Sequence, residues 1–389
     1  MGRTYKQTHP WLNFGLDLRP ANRQLWLSLG EAQSKCQHLA GAPLRPDVAR
    51  RIYRMYLAKG VLATTAIEGN TLSEQEVLAH LEGKLQLPPS REYLRQEIDN
   101  ILSIGNEMLA NIENERHQPL TVDLIKHFNR AVLKNLAVDE DTVPGEIRKD
   151  NRVVGRYRCA PPEDCEFLLQ KLCEWLESDD LKLQPGNEVV CGIIRAIVAH
   201  IYFVWIHPFG DGNGRTARLI EVKLLLDAGV PSDAAHLLSN YYNKTRSEYY
   251  KQLDAASKSG GNILPFIQYG VTGFVEELRE QIDIVREQHI DVTWINYVHD
   301  QFKDKKSHAD RRRRSVVLSI EDTVKIVSIP KLTPEIAAEY AGKTAKTVVR
   351  DVNQLIEMNL VQRVRGGAIR IKKETILAFL PIRKRESDE

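Results

Sequence analysis

Residues 207–218 read His207-Pro208-Phe209-Gly210-Asp211-Gly212-Asn213-Gly214-Arg215-Thr216-Ala217-Arg218. The stretch brings a titratable base, a carboxylate, a glycine-rich run and two guanidinium groups close together in the chain. Glycine adopts positive φ angles readily, so the run from Gly212 to Gly214 can turn several backbone N–H groups toward one point. The apolar spacing from Arg215 onward, with a stop at Gly229, predicts a helix. The glycine run therefore lies at a helix N-terminus, where unpaired N–H groups and the helix dipole attract phosphates.

The composition is that of a globular protein with two or three domains. The chain has 389 residues, of which 42% are hydrophobic and 27% are charged. These values are typical of soluble domains with sizeable cores. The formal net charge is only +2, so a nucleic-acid or membrane partner would have to be recognised by a local patch.

The cysteines indicate a reducing environment, and the apolar runs indicate that the chain does not span a membrane. The five cysteines are odd in number and form no Cys-x-x-Cys pair, which favours buried thiols over disulfides or a zinc site. Residues 1–20 lack an apolar signal core. The longest apolar stretch, Ile193 to Ile206, is interrupted by Arg195 and His200, so we interpret it as a buried helix. We expect a cytoplasmic protein with no membrane contact.

Apolar residues at helical spacing predict a mainly α protein. Before the C-terminal region we expect an N-terminal helical region over residues 1–115, a central helical domain over 116–290 and a helical, basic linker over 291–314. The linker includes the run Arg311-Arg312-Arg313-Arg314, which we interpret as solvated. One stretch alternates like a short β-hairpin, with residues 145–148 and 152–155 as strands and 149–151 as the turn.

Residues 315–381 predict three helices followed by two strands around Gly366-Gly367, the pattern of a winged helix-turn-helix domain. The first helix covers Ser315 to Ile326, and the third begins near Thr344. If the domain binds DNA, basic residues on the third helix and the wing would meet the phosphate backbone; they are Lys343, Lys346, Arg350, Arg363, Arg365 and Arg370. The alternative is a winged helix that serves protein contacts or dimerisation, and the sequence leaves both open.

The stretch 207–218 resembles the signature of the Fic family, His-x-Phe-x-(Asp/Glu)-Gly-Asn-Gly-Arg-x-x-Arg. Every specified position is present in this chain: His207, Phe209, Asp211, Gly212, Asn213, Gly214, Arg215 and Arg218. The resemblance extends over roughly residues 120–285. It implies a Fic-type helical bundle with a hairpin flap, and transfer of AMP from ATP to a hydroxyl side chain of a protein. The family's kinase-like branch has lysine in place of the second glycine, so Gly214 favours nucleotidyl transfer.

The resemblance implies a role for each part of the motif, and the residue chemistry agrees. His207 would accept the proton of the target hydroxyl, and Asp211 would hold a Mg²⁺ that bridges the phosphates. Phe209 would anchor the loop. Backbone N–H groups of the glycine run and the Asn213 amide would bind the α-phosphate, and the two arginines the β- and γ-phosphates. The full set assigned to the nucleotide is Gly212, Asn213, Gly214, Arg215, Thr216, Ala217, Arg218 and Tyr242.

A second motif, Thr64-Thr65-Ala66-Ile67-Glu68-Gly69-Asn70, matches the family's inhibitory pattern (Ser/Thr)-x-x-x-Glu-(Gly/Asn). Thr64, Glu68 and Gly69 occupy the specified positions, in a helix expected at about residues 60–70. We expect Thr64 and Glu68 to share one helix face and Glu68 to pair with Arg218, so that ATP binds unproductively. Without the family context, the same pattern fits an exposed helix face that ends at Gly69.

Two further groups complete the expected site. Ile147, Val153 and Val154 belong to the hairpin, which could take up the target segment as an extra strand and fix its hydroxyl near the base. The ring of Tyr242 could stack on adenine. Packing between helices is the ordinary alternative for this tyrosine, and a plain surface hairpin is the alternative for the flap.

The sequence therefore favours a protein adenylyltransferase that modifies a target protein, and itself, under restraint by Glu68. One alternative is an enzyme that removes AMP, with Glu68 positioning water. Another is a regulator whose main output is DNA binding through residues 315–381. The choice between ATP and UTP, and the formation of a homodimer, are left open.

Overall fold

The computed structural model describes residues 3–114, 116, 118–182 and 184–377. These residues fall into two compact units that divide between Ile282 and Asp283. The N-terminal helical region and the central domain, expected as separate parts, lie in one unit. The final residues of the expected winged helix, 378–381, lie outside the described residues.

The first unit is built almost entirely from helices. Its helices are α1 (Tyr5–Thr8), α2 (Arg23–Ala40), α3 (Pro46–Ala66), α4 (Glu74–Leu81), α5 (Glu92–Glu113), α6 (Val122–Val132), α7 (Pro162–Leu176), α8 (Glu188–Ile206), α9 (Asn213–Asp227), α10 (Leu237–Lys244), α11 (Arg246–Lys258) and the first part of α12 (Leu264–Gln301). Local sequence signals mark several helix starts. Pro46 opens α3 at its first turn, and Ser73 forms a capping box with Glu76 before α4.

Helix α8 forms the core of this unit, as the sequence predicts. It is long and apolar enough to span a membrane by composition, but 83% of its most apolar window is buried inside the protein. It packs against α2, α7 and α9. Because α9 follows directly after the loop at residues 207–212, the α8–α9 pair fixes the position of the motif.

The β-hairpin lies later in the chain than the sequence predicts. Strands β1 (Val153–Val154) and β2 (Tyr157–Arg158) pair antiparallel around Gly155, whose φ is +58°. Residues 145–148 do not form its first strand, because Ile147 instead makes an isolated antiparallel bridge with Phe209. The neighbouring Arg148 holds this arrangement, since its Nε donates to the His207 carbonyl at 2.7 Å.

The second unit contains the last part of α12, then α13 (His308–Ser319), β3 (Thr323–Lys325), α14 (Pro334–Tyr340), α15 (Ala345–Glu357), β4 (Val361–Val364) and β5 (Ala368–Ile371). The strands form an antiparallel sheet in the order β3-β5-β4. The first predicted helix is therefore wrong at both ends, because α13 starts and stops earlier and β3 follows it. The winged-helix assignment itself stays a prediction.

The arginine run at 311–314 is not a solvated linker. It lies in α13, where Arg312 is buried and its guanidinium pairs with Asp351 of α15 at 2.7 Å. Arg313 contacts the other oxygen of the same carboxylate at 2.9 Å. The two arginines thus join α13 to α15 inside the second unit, a contact that the linear charge pattern could not reveal.

Candidate active site

The base of the motif lies at the end of the core helix. His207 ends α8 in the left-handed region, with φ +51° and ψ +60°, and its N–H closes the helix on the Phe203 carbonyl at 2.8 Å. Burial, and next the positive charge of Arg148, lower the pKa of His207 to about 4. Its imidazole is therefore neutral at neutral pH and able to accept a proton.

The loop between α8 and α9 is closed by Phe209 and Asn213. The Phe209 ring is buried, as an anchor would be. Its N–H donates to Asn213 Oδ1 at 3.0 Å, and Asn213 Nδ2 donates back to the Phe209 carbonyl at 2.9 Å. Both ends of the Asn213 amide therefore hold the loop, and its expected contact with the α-phosphate, for which Nδ2 has a second N–H, stays a prediction.

The start of α9 has free helix-end geometry of the kind that a phosphate cradle would need, and we call residues 212–214 the cradle. Gly212 caps the helix with φ +74°, a conformation that favours glycine. The first helical hydrogen bond runs from the N–H of Thr216 to the Gly212 carbonyl, so the N–H groups before it have no acceptor within the helix. The side chains of Thr216 and Ala217 are completely buried. These two residues were expected to bind the nucleotide; that contact stays a prediction, and the protein encloses both side chains.

Arg218 forms the ion pair that the sequence predicts. Its Nη2 donates to Glu68 Oε1 at 2.6 Å and to the Thr64 carbonyl at 2.8 Å, and its side chain is only 1% exposed. Burial opposes ionisation of Glu68, but the guanidinium outweighs burial and lowers the pKa of Glu68. Among the described residues, Arg218 Nε and Nη1 are buried without a hydrogen-bond partner. The guanidinium thus retains donors that a phosphate could use.

Glu68 reaches Arg218 from a turn and not from a helix. Helix α3 ends at Ala66, and the N–H of Glu68 donates to the Thr65 carbonyl at 3.0 Å. Gly69 continues the turn with φ +110°, which favours glycine. The expectation that Thr64 and Glu68 share one helix face is therefore wrong, although the predicted ion pair is present.

The Glu68 carboxylate also covers the glycine run. A Cβ atom built on Gly214 would lie 2.0 Å from Glu68 Oε1. Any larger residue at this position would displace the carboxylate. Gly214 therefore permits close approach of Glu68, in addition to the approach of a phosphate that the sequence indicates.

Arg215 has a different environment from Arg218. Its Nη1 pairs with Glu97 of α5 at 3.0 Å, and its Nη2 lies 3.4 Å from Asp211 Oδ1. The Asp211 side chain is 49% exposed. Both motif arginines thus have a carboxylate partner from the N-terminal helical region, since Glu97 and Glu68 both precede the central domain in sequence.

A cavity of about 650 Å³ brings the base, the cradle and the hairpin together. Its walls include Glu68, His207 and Gly214 on one side and residues 154–157 of the hairpin on another. Tyr157 fixes the hairpin beside the end of α8, because its hydroxyl donates to the Trp205 carbonyl at 3.0 Å. The remaining wall comes from α11 and contains Ser247, Tyr249, Tyr250, Lys251, Leu253, Asp254, Ser257 and Lys258.

Tyr242 does not face this cavity. Its side chain is completely buried, its hydroxyl donates to Glu221 at 3.0 Å, and its ring stacks on Tyr249 at 4.8 Å between centroids. The expected contact of Tyr242 with adenine is therefore wrong, because the ring is enclosed by other aromatic side chains. Tyr249 and Tyr250 line the cavity instead.

Besides residues of the cavity wall, four residues that contact the motif or the Glu68 turn were not identified from the sequence. They are Glu97, Asn129, Arg148 and Arg246. Asn129 donates to the Asp211 carbonyl at 2.9 Å, and Arg246 binds the carbonyls of Ala66 and Ile67. Each contacts the site across a large separation in the chain, and no local spacing marks any of them.

The fold and this site define a helical protein that brings together a glycine-rich helix start, a neutral histidine and the ion pair between Arg218 and Glu68. Residues 119–225 match the profile of the Fic/DOC family.

Two curated relatives show the extent of the sequence similarity. The chain is 29% identical over 249 residues to protein adenylyltransferase fic-1 of Caenorhabditis elegans, and 31% identical over 244 residues to protein adenylyltransferase Fic of Nematostella vectensis. These alignments cover 64% and 62% of this chain, but 45% and 52% of the relatives. The chain thus spans about half the length of the curated relatives that it matches.

Two solved structures share the fold. A Fic family protein from Desulfovibrio desulfuricans has a TM-score of 0.56 at 20% identity, over 92% of this chain and 97% of that chain. A fragment of Fic-1 from C. elegans has a TM-score of 0.54 at 25% identity, over 68% of this chain and 73% of that chain. The mainly helical Fic fold predicted from the sequence is confirmed.

Proposed function

We propose that the chain is a protein adenylyltransferase that transfers AMP from ATP to a hydroxyl side chain of a target protein, and also to itself. One observation carries this proposal: the neutral base His207 and the phosphate cradle at Gly214 line a single cavity beside an exposed hairpin. The names of the curated relatives support the same activity.

The reaction follows from these groups. The oxygen of the target hydroxyl attacks the α-phosphorus of ATP, a new P–O bond forms, and the bond from the α-phosphorus to the bridging oxygen breaks. Pyrophosphate leaves, and the hydroxyl proton moves to the His207 imidazole, which is neutral because its pKa is about 4. The N–H groups at the start of α9, which have no acceptor within the helix, stabilise the negative charge that develops on the α-phosphate.

Asp211 is suited to a magnesium ion that arrives with the nucleotide. Mg²⁺ usually keeps several waters and binds proteins through one or two carboxylates together with substrate phosphates. The half-exposed Asp211 carboxylate meets this need, although the described residues contain no cluster of three metal-ligating side chains. Bound there, the ion would neutralise phosphate charge.

We further propose that Glu68 restrains this activity. Its carboxylate occupies Arg218 Nη2, a donor that would otherwise bind a terminal phosphate. It also lies directly over Gly214, in the space that a phosphate in the cradle would approach. ATP that binds in this state would do so with its phosphates displaced from the productive position.

The hairpin is proposed to hold the target. Val153 and Val154 are 63% and 46% exposed, and exposed β-branched residues on an open strand edge favour the addition of another strand. Ile147, expected to share this role, contributes instead to the loop through its bridge with Phe209.

The reaction is tested by mass spectrometry of the Glu68→Gly variant after incubation with ATP and Mg²⁺. We expect a mass increment of one adenylyl group per modified site, and label from the α-phosphate but not from the γ-phosphate. The Glu68→Gly/His207→Ala double variant should show no increment. Transfer of γ-phosphate label, or full labelling without His207, would contradict the proposal.

The reverse reaction has one observation in its favour, since Glu68 and His207 line the same cavity and Glu68 could orient a water there. Incubation of an adenylylated target with wild type and Glu68→Gly distinguishes the two directions. Release of AMP by the wild type alone would show that Glu68 serves removal.

A second proposed function, DNA binding, concerns the second unit. Residues 283–377 contain 18 Lys and Arg against 13 Asp and Glu. Lys343, Lys346 and Arg350 are exposed at or near the start of α15, and Arg365 is exposed at the turn of the β4–β5 hairpin. We propose that this basic surface contacts a DNA backbone. Two other expected contacts have partners inside the protein, because Arg363 donates to Asn353 and Arg370 donates to Glu374.

The DNA proposal is tested with the full chain in mobility-shift titrations at several salt concentrations. Lys346→Gln and Arg350→Gln should each weaken binding and reduce the slope of log affinity against log salt by about 1. Arg370→Gln, which removes a charge that already has a carboxylate partner, is the matched control. Equal slopes in all variants would contradict DNA binding by this surface.

A further inference from the structure

The turn that carries Glu68 is held from two sides by arginines. On one side, Arg218 of α9 binds the Glu68 carboxylate and the Thr64 carbonyl. On the other side, Arg246, the first residue of α11, donates from Nη1 to the Ala66 carbonyl at 3.3 Å and from Nη2 to the Ile67 carbonyl. The chain immediately before Glu68 is thus fixed by a side chain from far along the sequence.

Arg246 contacts the C-terminal end of α3, where a positive charge is most favourable. The last carbonyls of a helix lack N–H partners within the helix, and the helix dipole makes this end negative. The last turn of α3 contains no basic residue of its own. Arg246 supplies the charge from another helix, and basic side chains at such ends are known to bind the last carbonyls.

Arg246 also connects the Glu68 turn to the wall of the nucleotide cavity. The residues that follow it on α11, Ser247, Tyr249 and Tyr250, line that cavity together with Ile67 and Glu68. A nucleotide that packs against α11 therefore contacts the same short helix that holds the turn.

We propose that Arg246 is a positioning residue that keeps Glu68 against Arg218, and that its loss releases the restraint while leaving the reacting groups in place. This inference rests on the proposed restraint by Glu68. Arg246 acts only through the backbone of the turn, since its contacts are with the carbonyls of Ala66 and Ile67 and not with the motif at 207–218.

A double-mutant cycle in self-labelling with ATP and Mg²⁺ tests this role. Arg246→Gln should raise the initial rate of AMP incorporation by about tenfold, which corresponds to ~1.4 kcal/mol. In the Glu68→Gly background the same substitution should change the rate by less than about twofold, because a turn without its carboxylate has nothing left to position. Arg246→Lys keeps the positive charge but lacks the two nitrogens that bind the two carbonyls separately, so it should give an intermediate rate.

The control is Arg279→Gln, because Arg279 is an exposed arginine of the same unit that pairs with Glu31 at 2.6 Å. It should leave the rate unchanged. Since Arg246 is itself exposed, its substitution should not unfold the protein. Equal activation by Arg246→Gln with and without Glu68, or no activation by Arg246→Gln where Glu68→Gly does activate, would overturn the inference.

Amide hydrogen exchange of residues 66–70 without nucleotide provides a readout that does not depend on the reaction. Arg246→Gln should accelerate exchange in this segment, and Arg279→Gln should not. If neither Glu68→Gly nor Arg246→Gln labels any protein, the proposed function fails. The exchange rates then decide separately whether Arg246 holds the turn, and an unchanged rate would overturn that role.

Discussion

At the scale of single residues, His207 combines a buried environment with a positive neighbour. Both effects disfavour the imidazolium form, with burial the larger, and together they lower its pKa to about 4. A histidine that stays neutral over the physiological range can act as a base without first losing a proton. The residue is thus prepared for proton transfer by its position at the end of a buried helix.

This pKa predicts the pH profile of the Glu68→Gly variant. A lowered pKa means that the base is active above that pKa and inactive below it. We expect kcat/KM for AMP transfer to be flat from about pH 8 to about pH 5.5 and to fall only toward about pH 4. A break near 6.5, the ordinary histidine value, would show that His207 is exposed to solvent or is not the base.

Part of the backbone geometry of the motif could be predicted, because it depends on only a few neighbouring residues. The glycine cap and the helix start after Gly212 follow from local backbone preferences. The use of the Asn213 amide and the burial of Tyr242 could not be predicted in this way. Both depend on which side chains of other helices surround them, and a single sequence does not contain that information.

At the scale of elements, the position of Glu68 depends on how closely α3 approaches α10. Gly60 of α3 faces His236, and a Cβ atom at Gly60 would lie 2.3 Å from the His236 Cβ. Helix α3 can lie this close to His236, the residue before α10, only because position 60 lacks a side chain. This close contact fixes the position of α3 and, with it, the position of the turn that follows Ala66.

Gly60→Ala should consequently destabilise the protein, even though alanine favours helices. The gain in helix propensity is ~0.5–1 kcal/mol, but overpacking of a buried contact costs ~1–3 kcal/mol. We expect a lower denaturation midpoint in urea. Gly105→Ala on α5 is the matched control, because a Cβ there meets no atom within 4 Å, and it should raise the midpoint slightly. Equal midpoints for the two variants would contradict the close contact.

The β-hairpin shows why the boundaries of short elements are hard to predict. Residues 145–148 alternate as a strand should, but Ile147 pairs with Phe209 and the Arg148 side chain binds the His207 carbonyl. The sequence therefore shows the alternating pattern of a strand, but not the segment with which that strand pairs. The partner is a loop distant in sequence, which a local alternating pattern does not reveal.

At the scale of the whole molecule, the described residues form two compact units with different chemistry. The first contains the motif, the cavity and the Glu68 turn, and the second contains the basic surface near α15. The sequence predicted both regions but placed a linker at 291–314, where the structure has parts of α12 and α13. Arg312 and Arg313 explain the difference, because their pairing with Asp351 makes the arginine run part of a folded core.

The ion pair between Glu68 and Arg218 is proposed to restrain an adenylyltransferase site. The most direct measurement compares initial rates of AMP incorporation by wild type, Glu68→Gln and Glu68→Gly at saturating ATP and Mg²⁺. A hydrogen bond between charged groups contributes ~1.5–3 kcal/mol, so Glu68→Gly should be faster than wild type by roughly tenfold to a hundredfold, with Glu68→Gln between them. Equal rates for all three proteins would contradict restraint by this ion pair.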